Sequence, residues 1–307
     1  MIRNDHVDAV TLSAFTSAVV IGGANFVAVK ETVDELDPLY GAAARFGLAG
    51  AVFLAIVAIG RAQLPHGAAL VGAVVYGALG FGGAYALLYI ALVELSAGVA
   101  SVLMATAPLF TLALAVILRM EKFTARGLVG GALAVAGIAV LSARSLDGKI
   151  ALGYLLAALA APLVVAGSTI AAKRFPRTDP IATNAVGMTV GAALLAILSL
   201  GAGESWTVPK QGSTWAATAW LVLAGSVGFF WCILFVVKRW TASASTYVLP
   251  LMPIVAVALG ALLLGEAIGP EEGVGALLVI AGAYVAVLRQ GRTGADAPPA
   301  AAPARAP

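Results

Sequence analysis

The sequence predicts an all-α membrane protein, in which ten transmembrane helices form two inverted five-helix repeats around a central cavity. Three observations predict this fold class: an excess of apolar residues, ten long apolar runs, and an internal repeat. Apolar residues make up 61% of the 307 residues and charged residues only 11%, whereas soluble domains average about 25% charged residues. Because a soluble protein of this length still exposes a large surface to water, we expect a lipid bilayer to cover this chain.

Each apolar run is long enough to cross a membrane as a helix. A spanning helix needs about 20 residues, because each residue advances about 1.5 Å across roughly 30 Å of hydrocarbon. The runs lack the two-residue alternation of a membrane β-barrel. The predicted spans are 9–30, 38–60, 67–93, 97–118, 124–142, 150–172, 180–202, 213–237, 242–264 and 272–288.

The spans differ in composition along the chain. The first has no obvious cleavage site after it, so we interpret it as a retained helix rather than a signal peptide. The third is rich in glycine and aromatic residues, the fourth and ninth carry prolines, and the fifth and tenth are rich in glycine. The last segment, 291–307, is rich in alanine and proline and is predicted to be disordered.

The rare residue types exclude several kinds of site. The one cysteine, Cys232, excludes an intrachain disulfide, and the two histidines, His6 and His66, lie outside the apolar runs. We therefore expect no metal and no cofactor. The net charge of +3 comes from basic residues scattered between the runs, so no nucleic-acid partner is expected.

Lysine and arginine are distributed unequally between the two sides of the predicted bundle. With the N-terminus inside, the cytoplasmic segments hold 13 of them and the opposite segments hold 4. Basic residues favour the cytoplasmic side. Both termini are therefore predicted to be cytoplasmic.

The chain repeats itself at a constant offset of 145 residues between 95–141 and 240–286. An odd number of spans in each repeat makes the second copy enter from the opposite face, and such inverted repeats are typical of secondary transporters. We therefore divide the chain into a first repeat, 1–148, a second repeat, 149–290, and a tail, 291–307. The matching landmarks are Pro108 with Pro253, Glu121 with Glu266, Gly130 with Gly275, and Gly137 with Gly282.

These features resemble the drug/metabolite transporter superfamily with its EamA-type repeats. The resemblance covers about residues 9–288 and rests on the ten spans and on the paired segments 108–121 and 253–266, each a proline-bearing helix followed by a loop with glutamate. It is most similar to bacterial amino-acid and aromatic amino-acid exporters. The resemblance implies a multi-pass carrier of the bacterial cytoplasmic (inner) membrane that exports small metabolites.

Prolines in corresponding positions of the two halves indicate a binding site near the middle of the membrane. Pro108 lies near the centre of span 4, and Pro250 and Pro253 lie in span 9. Each proline removes an N–H and frees a carbonyl four residues earlier; for Pro108 and Pro253 these are the carbonyls of Met104 and Leu249. The alternative is that the prolines only kink the helices for packing.

Polar and aromatic residues near these prolines are the candidate cavity residues. Polar groups in lipid either join helices or contact a substrate, and rings spaced at helical intervals either pack or line an apolar wall. Arg45 is a candidate partner for a substrate carboxylate, although a snorkelling side chain or a loop carboxylate would also explain it. The candidates are Asn25, Arg45, Phe81, Tyr85, Ser101, Ser168, Trp231 and Tyr247.

The sequence favours export of amino acids, including aromatic ones, or of related small metabolites by alternating access. No Asp or Glu lies in the middle of a span, so we expect facilitated transport or exchange rather than proton coupling. The alternatives are a multidrug or nucleotide-sugar carrier of the same superfamily, a channel, and a membrane-embedded enzyme, which the lack of acid–base groups at depth disfavours. A monomer is expected, with a dimer as the alternative.

Overall fold

The computed structural model describes residues 9–120, 125–146, 151–176, 178–239, 248–267 and 269–285, and all regular structure in these ranges is helical. We number the helices in chain order and give one number to helical segments that follow one another within a single candidate span. They are α1 (Ala9–Val33), α2 (Pro38–Ile59), α3 (Ala68–Glu94), α4 (Ala97–Ile117), α5 (Ala125–Leu146), α6 (Leu152–Lys173), α7 (Pro180–Ala202), α8 (Gly212–Val222, Leu223–Gly228 and Phe229–Arg239), α9 (Val248–Leu263) and α10 (Pro270–Ala283).

Seven helices are long and apolar enough to cross a membrane, namely α1 to α4 and α6 to α8. The other three predicted spans correspond to shorter apolar helices in the part of the chain that the structure describes: Gly127–Val140, Val248–Leu263 and Gly273–Gly282. In the most apolar stretch of each long helix, 28% to 50% of the residues are buried inside the protein. The remaining apolar side chains point outward, where lipid covers them.

Several helices begin and end where the sequence provides the matching chemistry. Pro38 and Pro180 occupy the first turns of α2 and α7, where the missing N–H needs no partner. Asp179 accepts hydrogen bonds from the N–H groups of Ile181 and Ala182. Gly203 ends α7 with a φ of 72°, a conformation that glycine adopts without strain.

Two helices contain π-helical segments, Gly77–Gly83 in α3 and Leu223–Gly228 in α8. A π-helical turn holds an extra residue and leaves backbone groups without their usual partners. In α3 the Ser168 hydroxyl donates to the carbonyl of Tyr76. In α8 the carbonyl of Gly225 accepts hydrogen bonds from two side chains of other helices. Both segments therefore depend on neighbouring helices.

Close helix pairs hold the bundle together. Helix α2 packs along α7, α5 along α10, α1 along α9, and α3 along α6. The largest apolar cluster joins α1, α2, α3 and α7 and includes the buried rings of Phe26, Phe46 and Tyr89. Helix α3 approaches α7 so closely that a Cβ atom at Gly77 would collide with the backbone of Gly187. Glycine is required there because no side chain fits.

The substitution Gly77→Ala should lower the free energy of unfolding by about 1–3 kcal/mol, because the new methyl group forces α3 and α7 apart. Gly167→Ala is the matched control, since no atom lies within 4 Å of the added Cβ atom. This control should raise stability by about 0.5–1 kcal/mol through helix propensity. Denaturant unfolding of both variants in detergent measures the difference, and equal stabilities would contradict the close contact.

Candidate functional site

A cavity of about 340 Å³ lies between helices α1, α2, α3, α4, α6, α8 and α9. This volume is at the small end of the range for small-molecule sites. Its wall is mainly apolar and aromatic, with a few polar groups. The lining residues are Gly22, Asn25, Phe26, Val29, Arg45, Tyr76, Gly80, Phe81, Tyr85, Leu88, Ser101, Met104, Ala105, Ala107, Val165, Ser168, Thr169, Phe229, Phe230, Leu249 and Met252.

The structure brings six of the eight candidate residues together at this cavity. They come from five different helices and are Asn25, Arg45, Phe81, Tyr85, Ser101 and Ser168. Tyr247 lies outside the described residues. The remaining candidate, Trp231, is not part of the lining.

The placement of Trp231 corrects the prediction from sequence. Its side chain is 64% exposed on the outside of α8, whereas Phe229 and Phe230 face the cavity. Successive residues of a helix point about 100° apart. With Phe229 and Phe230 turned toward the cavity, the next residue, Trp231, points away from it.

Residues shortly before the prolines of α4 and α9 line the cavity. In α4 the helix is interrupted at Ala105 and Thr106, just before Pro108, and Met104 and Ala105 line the cavity. Pro253 lies inside α9 and Pro250 one turn earlier, both buried, and Leu249 lines the cavity. The prolines themselves do not belong to the described lining.

Arg45 is the charged residue of the cavity lining, and it is 2% exposed. Its Nη2 donates to the carbonyl of Gly225 at 3.3 Å, and its Nε donates to the hydroxyl of Ser226 at 3.4 Å. Its Nη1 has no hydrogen-bond partner. The burial of Arg45 and its partners on α8 argue against snorkelling, and no carboxylate in the described part of the chain pairs with it.

Neutral groups surround the guanidinium of Arg45. The rings of Phe46 and Tyr85 lie 5.0 Å and 5.4 Å from its central carbon. The buried hydroxyl of Tyr89 lies beside the guanidinium, close enough for an electrostatic and a hydrogen-bond interaction, although neither Tyr89 Oη nor Arg45 Nη1 makes a hydrogen bond of normal geometry. An arginine keeps its charge in proteins. The positive charge therefore remains without an anionic partner among the described residues.

Asn25 and Ser168 bind the two π-helical segments from opposite sides of the cavity. The amide of Asn25 donates to the carbonyl of Gly225 at 3.1 Å, and Ser168 donates to the carbonyl of Tyr76 at 3.2 Å. The Oδ1 atom of Asn25 has no hydrogen-bond partner. Ser101 instead bonds within its own helix, to the carbonyl of Gly98.

Aromatic rings form one wall of the cavity. Phe46 contacts Phe81 and Tyr85, with centroid distances of 5.2 Å and 4.6 Å, and Phe81 contacts Phe230 at 5.9 Å. Sequence reasoning missed the lining residues Tyr76, Phe229 and Phe230. The sequence did contain a signal for Phe229: the Gly228-Phe229 pair of span 8 matches the Gly80-Phe81 pair of span 3 in the other half of the chain.

A second pocket, of about 360 Å³, adjoins the cavity toward the end of the bundle where α6 ends and α7 begins. Phe175, Pro176 and Thr178 line its outer part. Tyr76 and Phe230 line both pockets. These two side chains therefore lie between the cavity and this end of the bundle.

At the opposite end of the bundle, where α1 ends, charged side chains bind the ends of other helices. Glu266 accepts from the N–H groups of Ala97 and Gly98, which begin α4. Glu204 accepts from the N–H groups of Leu39 and Tyr40, which begin α2. Carboxylates are favourable at helix N-termini. We call these two carboxylates and Lys30 the end latches.

Lys30 completes the end latches at a helix C-terminus. Its ammonium donates to the carbonyls of Leu92 and Val93 at 2.9 Å and 3.0 Å. Lys30 thus binds backbone carbonyls of α3 rather than one of the carboxylates that neighbour it in the sequence. Glu266 precedes α10 in the chain but caps α4 instead.

Glu35 makes a similar contact nearby, at the start of α8. A hydrogen bond from Thr214, followed by those from the backbone of Lys210 and Gln211, lowers the pKa of Glu35. Because the folded protein lowers this pKa, the contact contributes stability above the normal glutamate pKa and is lost as the pH falls below it.

The fold and the cavity define the class of this protein as a membrane transporter. Helices that span lipid surround a small, mostly apolar cavity with a few polar groups at its wall. Within the described ranges, no group of three or more His, Cys, Asp and Glu side chains is placed to hold a metal ion.

The chain belongs to the EamA-like transporter family, whose model matches residues 10–143 and again residues 151–288. It is similar to a probable amino-acid metabolite efflux pump of Salmonella typhimurium, with 29% identity over 88% of this chain and 92% of that protein. It is also similar to a probable terminal-alkyne amino-acid exporter of Streptantibioticus cattleyicolor, with 30% identity over 62% of this chain and 64% of that protein.

Two further comparisons support the membrane fold. An uncharacterized inner membrane transporter of Escherichia coli is 29% identical over 89% of both chains. A solved crystal structure superimposes with a TM-score of 0.63 at 22% identity, covering 92% of this chain and 98% of the other.

The substitution Glu266→Ala should lower the free energy of unfolding by about 1–2 kcal/mol, because it leaves the first N–H groups of α4 without their acceptor. Glu94→Ala is the control, because Glu94 is exposed near the same end of the bundle and should change stability by less than about 0.5 kcal/mol. Thermal unfolding in detergent compares them. If the two variants melt alike, the Glu266 latch does not stabilise the fold.

Proposed function

We propose that this protein is a bacterial inner-membrane secondary transporter that exports amino acids, including aromatic ones, or related small metabolites by alternating access. The observation that carries the proposal is the buried, uncompensated charge of Arg45 at the wall of a mostly apolar cavity. A permanent cation in a membrane interior is costly and marks a functional site by default.

A substrate carboxylate is the natural partner for this charge. Arginine binds carboxylates through paired N–H donors, and the Nη1 group of Arg45 has no other hydrogen-bond partner. Water-filled states of the cavity hydrate the charge, and an entering carboxylate replaces that water with a charge-assisted hydrogen bond. The site is therefore suited to an anionic group.

The aromatic wall is suited to the remainder of such a substrate. Phe81, Tyr85 and Phe230 offer rings to an apolar or aromatic side chain, and aromatic contacts add affinity beyond the buried area. The printed names of two relatives, an amino-acid metabolite efflux pump and a terminal-alkyne amino-acid exporter, support the same substrate class.

Alternating access accounts for the difference between the two ends of the bundle. The end latches close one end, while the second pocket adjoins the cavity at the other. With both termini in the cytoplasm, as the distribution of basic residues indicates, the described state faces the cytoplasm. The double match of the family model supports two inverted five-helix repeats that rock around the cavity.

The composition of the cavity favours facilitated transport or exchange. No carboxylate belongs to its described lining, so no acid there gains and loses a proton during transport. The alternative is a multidrug or nucleotide-sugar carrier of the same superfamily. We propose the monomer as the transporting unit in either case. Without an acid–base or metal group at the cavity, we propose no enzymatic activity.

The substitution Arg45→Met should raise the substrate concentration for half-maximal transport about tenfold or more, because a hydrogen bond to a charged group contributes about 1.5–3 kcal/mol. Arg45→Lys should retain part of the affinity, since lysine keeps the charge but not the planar donors. Trp231→Ala, outside the cavity, should transport normally. Counterflow into proteoliposomes measures all three.

The same proteoliposomes test the function itself through a screen of the twenty amino acids. Saturable uptake that is stimulated by amino acid on the other side of the membrane is expected for a carrier. Flux without saturation indicates a channel. If drug-like cations are carried and no amino acid is, the multidrug alternative replaces the proposal.

A further inference from the structure

We propose that Asn25, Arg45 and the carbonyl of Gly225 form a two-point site for the headgroup of a free α-amino acid, with the carboxylate on Arg45 and the ammonium on Asn25. This inference rests on the proposed function and narrows it: it assigns the recognition of the amino group, and it excludes N-acylated and deaminated compounds as good substrates.

The geometry begins with a shared acceptor. The carbonyl oxygen of Gly225 accepts hydrogen bonds from Asn25 Nδ2 at 3.1 Å and from Arg45 Nη2 at 3.3 Å. Both side chains line the cavity. Because they meet at one oxygen atom, the amide and the guanidinium are neighbours although they come from α1 and α2.

Each of the two side chains has one polar atom without a hydrogen-bond partner, a donor on Arg45 and an acceptor on Asn25. Arg45 Nη1 is a donor without a partner, and Asn25 Oδ1 is an acceptor without a partner, both buried. Buried polar groups without a partner are rare because each costs free energy. A free α-amino acid carries an acceptor, the carboxylate, and a donor, the ammonium, on adjacent carbon atoms. It satisfies both groups at once.

The π-helical segment of α8 makes this arrangement necessary. Its extra residue leaves the carbonyl of Gly225 available to side chains, and the missing side chain of Gly225 leaves room for Asn25. A Cβ atom at Gly225 would overlap the amide of Asn25. The atom nearest to that Cβ position is Asn25 Oδ1, so glycine is required for the amide to lie against α8 while its NH₂ group donates to the carbonyl.

A neutral acceptor binds an ammonium more weakly than a carboxylate does, and this suits a transporter, which has to release its substrate. The described lining contains no carboxylate, and a carboxylate beside Arg45 would neutralise the charge that binds the substrate. Pro108 provides a second neutral acceptor, because it has no N–H for the carbonyl of Met104, and Met104 lines the cavity. An N-acyl group removes the charge of the ammonium and adds bulk at this point.

The test compares each amino acid that the protein carries with its N-acetyl derivative, its deaminated acid and its decarboxylated amine. We expect purified protein in proteoliposomes to prefer the free amino acid at least tenfold over each of the three. The substitution Asn25→Leu should abolish the preference over the deaminated acid, whereas Asn25→Gln, which keeps a neutral amide acceptor, should retain part of it.

A second pair of variants reaches the same site without changing Asn25. Gly225→Ala should displace the amide and lower the preference as Asn25→Leu does. Gly228→Ala is its control in the same π-helical segment, because the nearest atom to the added Cβ is 3.5 Å away, and it should leave the preference unchanged. Folding of each variant is checked by its elution as a single species in detergent.

The outcomes separate this inference from the proposed function. If deaminated or N-acetylated acids are carried as well as the free amino acids, the ammonium is not recognised; the inference is then overturned while the carboxylate role of Arg45 stands. If the decarboxylated amine is carried equally well, the carboxylate is not recognised, and the two-point site and the carboxylate role of Arg45 are both wrong. If none of the amino acids is carried, the proposed function fails.

Discussion

The positive charge of Arg45 is the constraint around which the centre of this protein is arranged. A guanidinium at membrane depth cannot lose its proton and is expensive to bury without partners. The protein surrounds it with a carbonyl, a hydroxyl and two aromatic faces, all of them neutral. These contacts hold the charge in place and leave it electrostatically unsatisfied, which is the condition that a site for an anionic group requires.

The position of the cavity follows from the backbone. In a bilayer, irregular backbone is tolerated only where protein or a water-filled cavity faces it. The two π-helical segments, the interruption of α4 and the proline of α9 all adjoin the same cavity. The side chains that satisfy the released carbonyls, Asn25 and Ser168, are also lining residues. The same polar groups thus stabilise the helix breaks and give the cavity its polar wall.

Local sequence patterns were sufficient to predict part of this site. A proline predicts a freed carbonyl wherever it occurs in a helix, and a buried polar residue predicts a partner on another helix. Asn25, Arg45 and Ser168 were predicted in this way to lie at a cavity, and they line the cavity of the structure. Trp231 was misplaced because helical spacing shows which residues share a face of a helix but not which face of α8 meets the cavity. The partners of Lys30 and Glu266 were missed because they depend on which helix ends meet in space.

The alternating access proposed above requires the contacts of the end latches to break when that end of the bundle opens. Each is a charged side chain at the end of a helix rather than an ion pair, and contacts of this kind contribute about 0.5–2 kcal/mol each. Glu266, Glu204 and Lys30 together therefore amount to a few kcal/mol. A ligand shifts a conformational equilibrium by its difference in affinity for the two states. A hydrogen bond between Arg45 and a carboxylate contributes about 1.5–3 kcal/mol, which is comparable to the free energy of the end latches. If the proposed headgroup site binds differently in the two states, substrate binding alone is sufficient to release the latches.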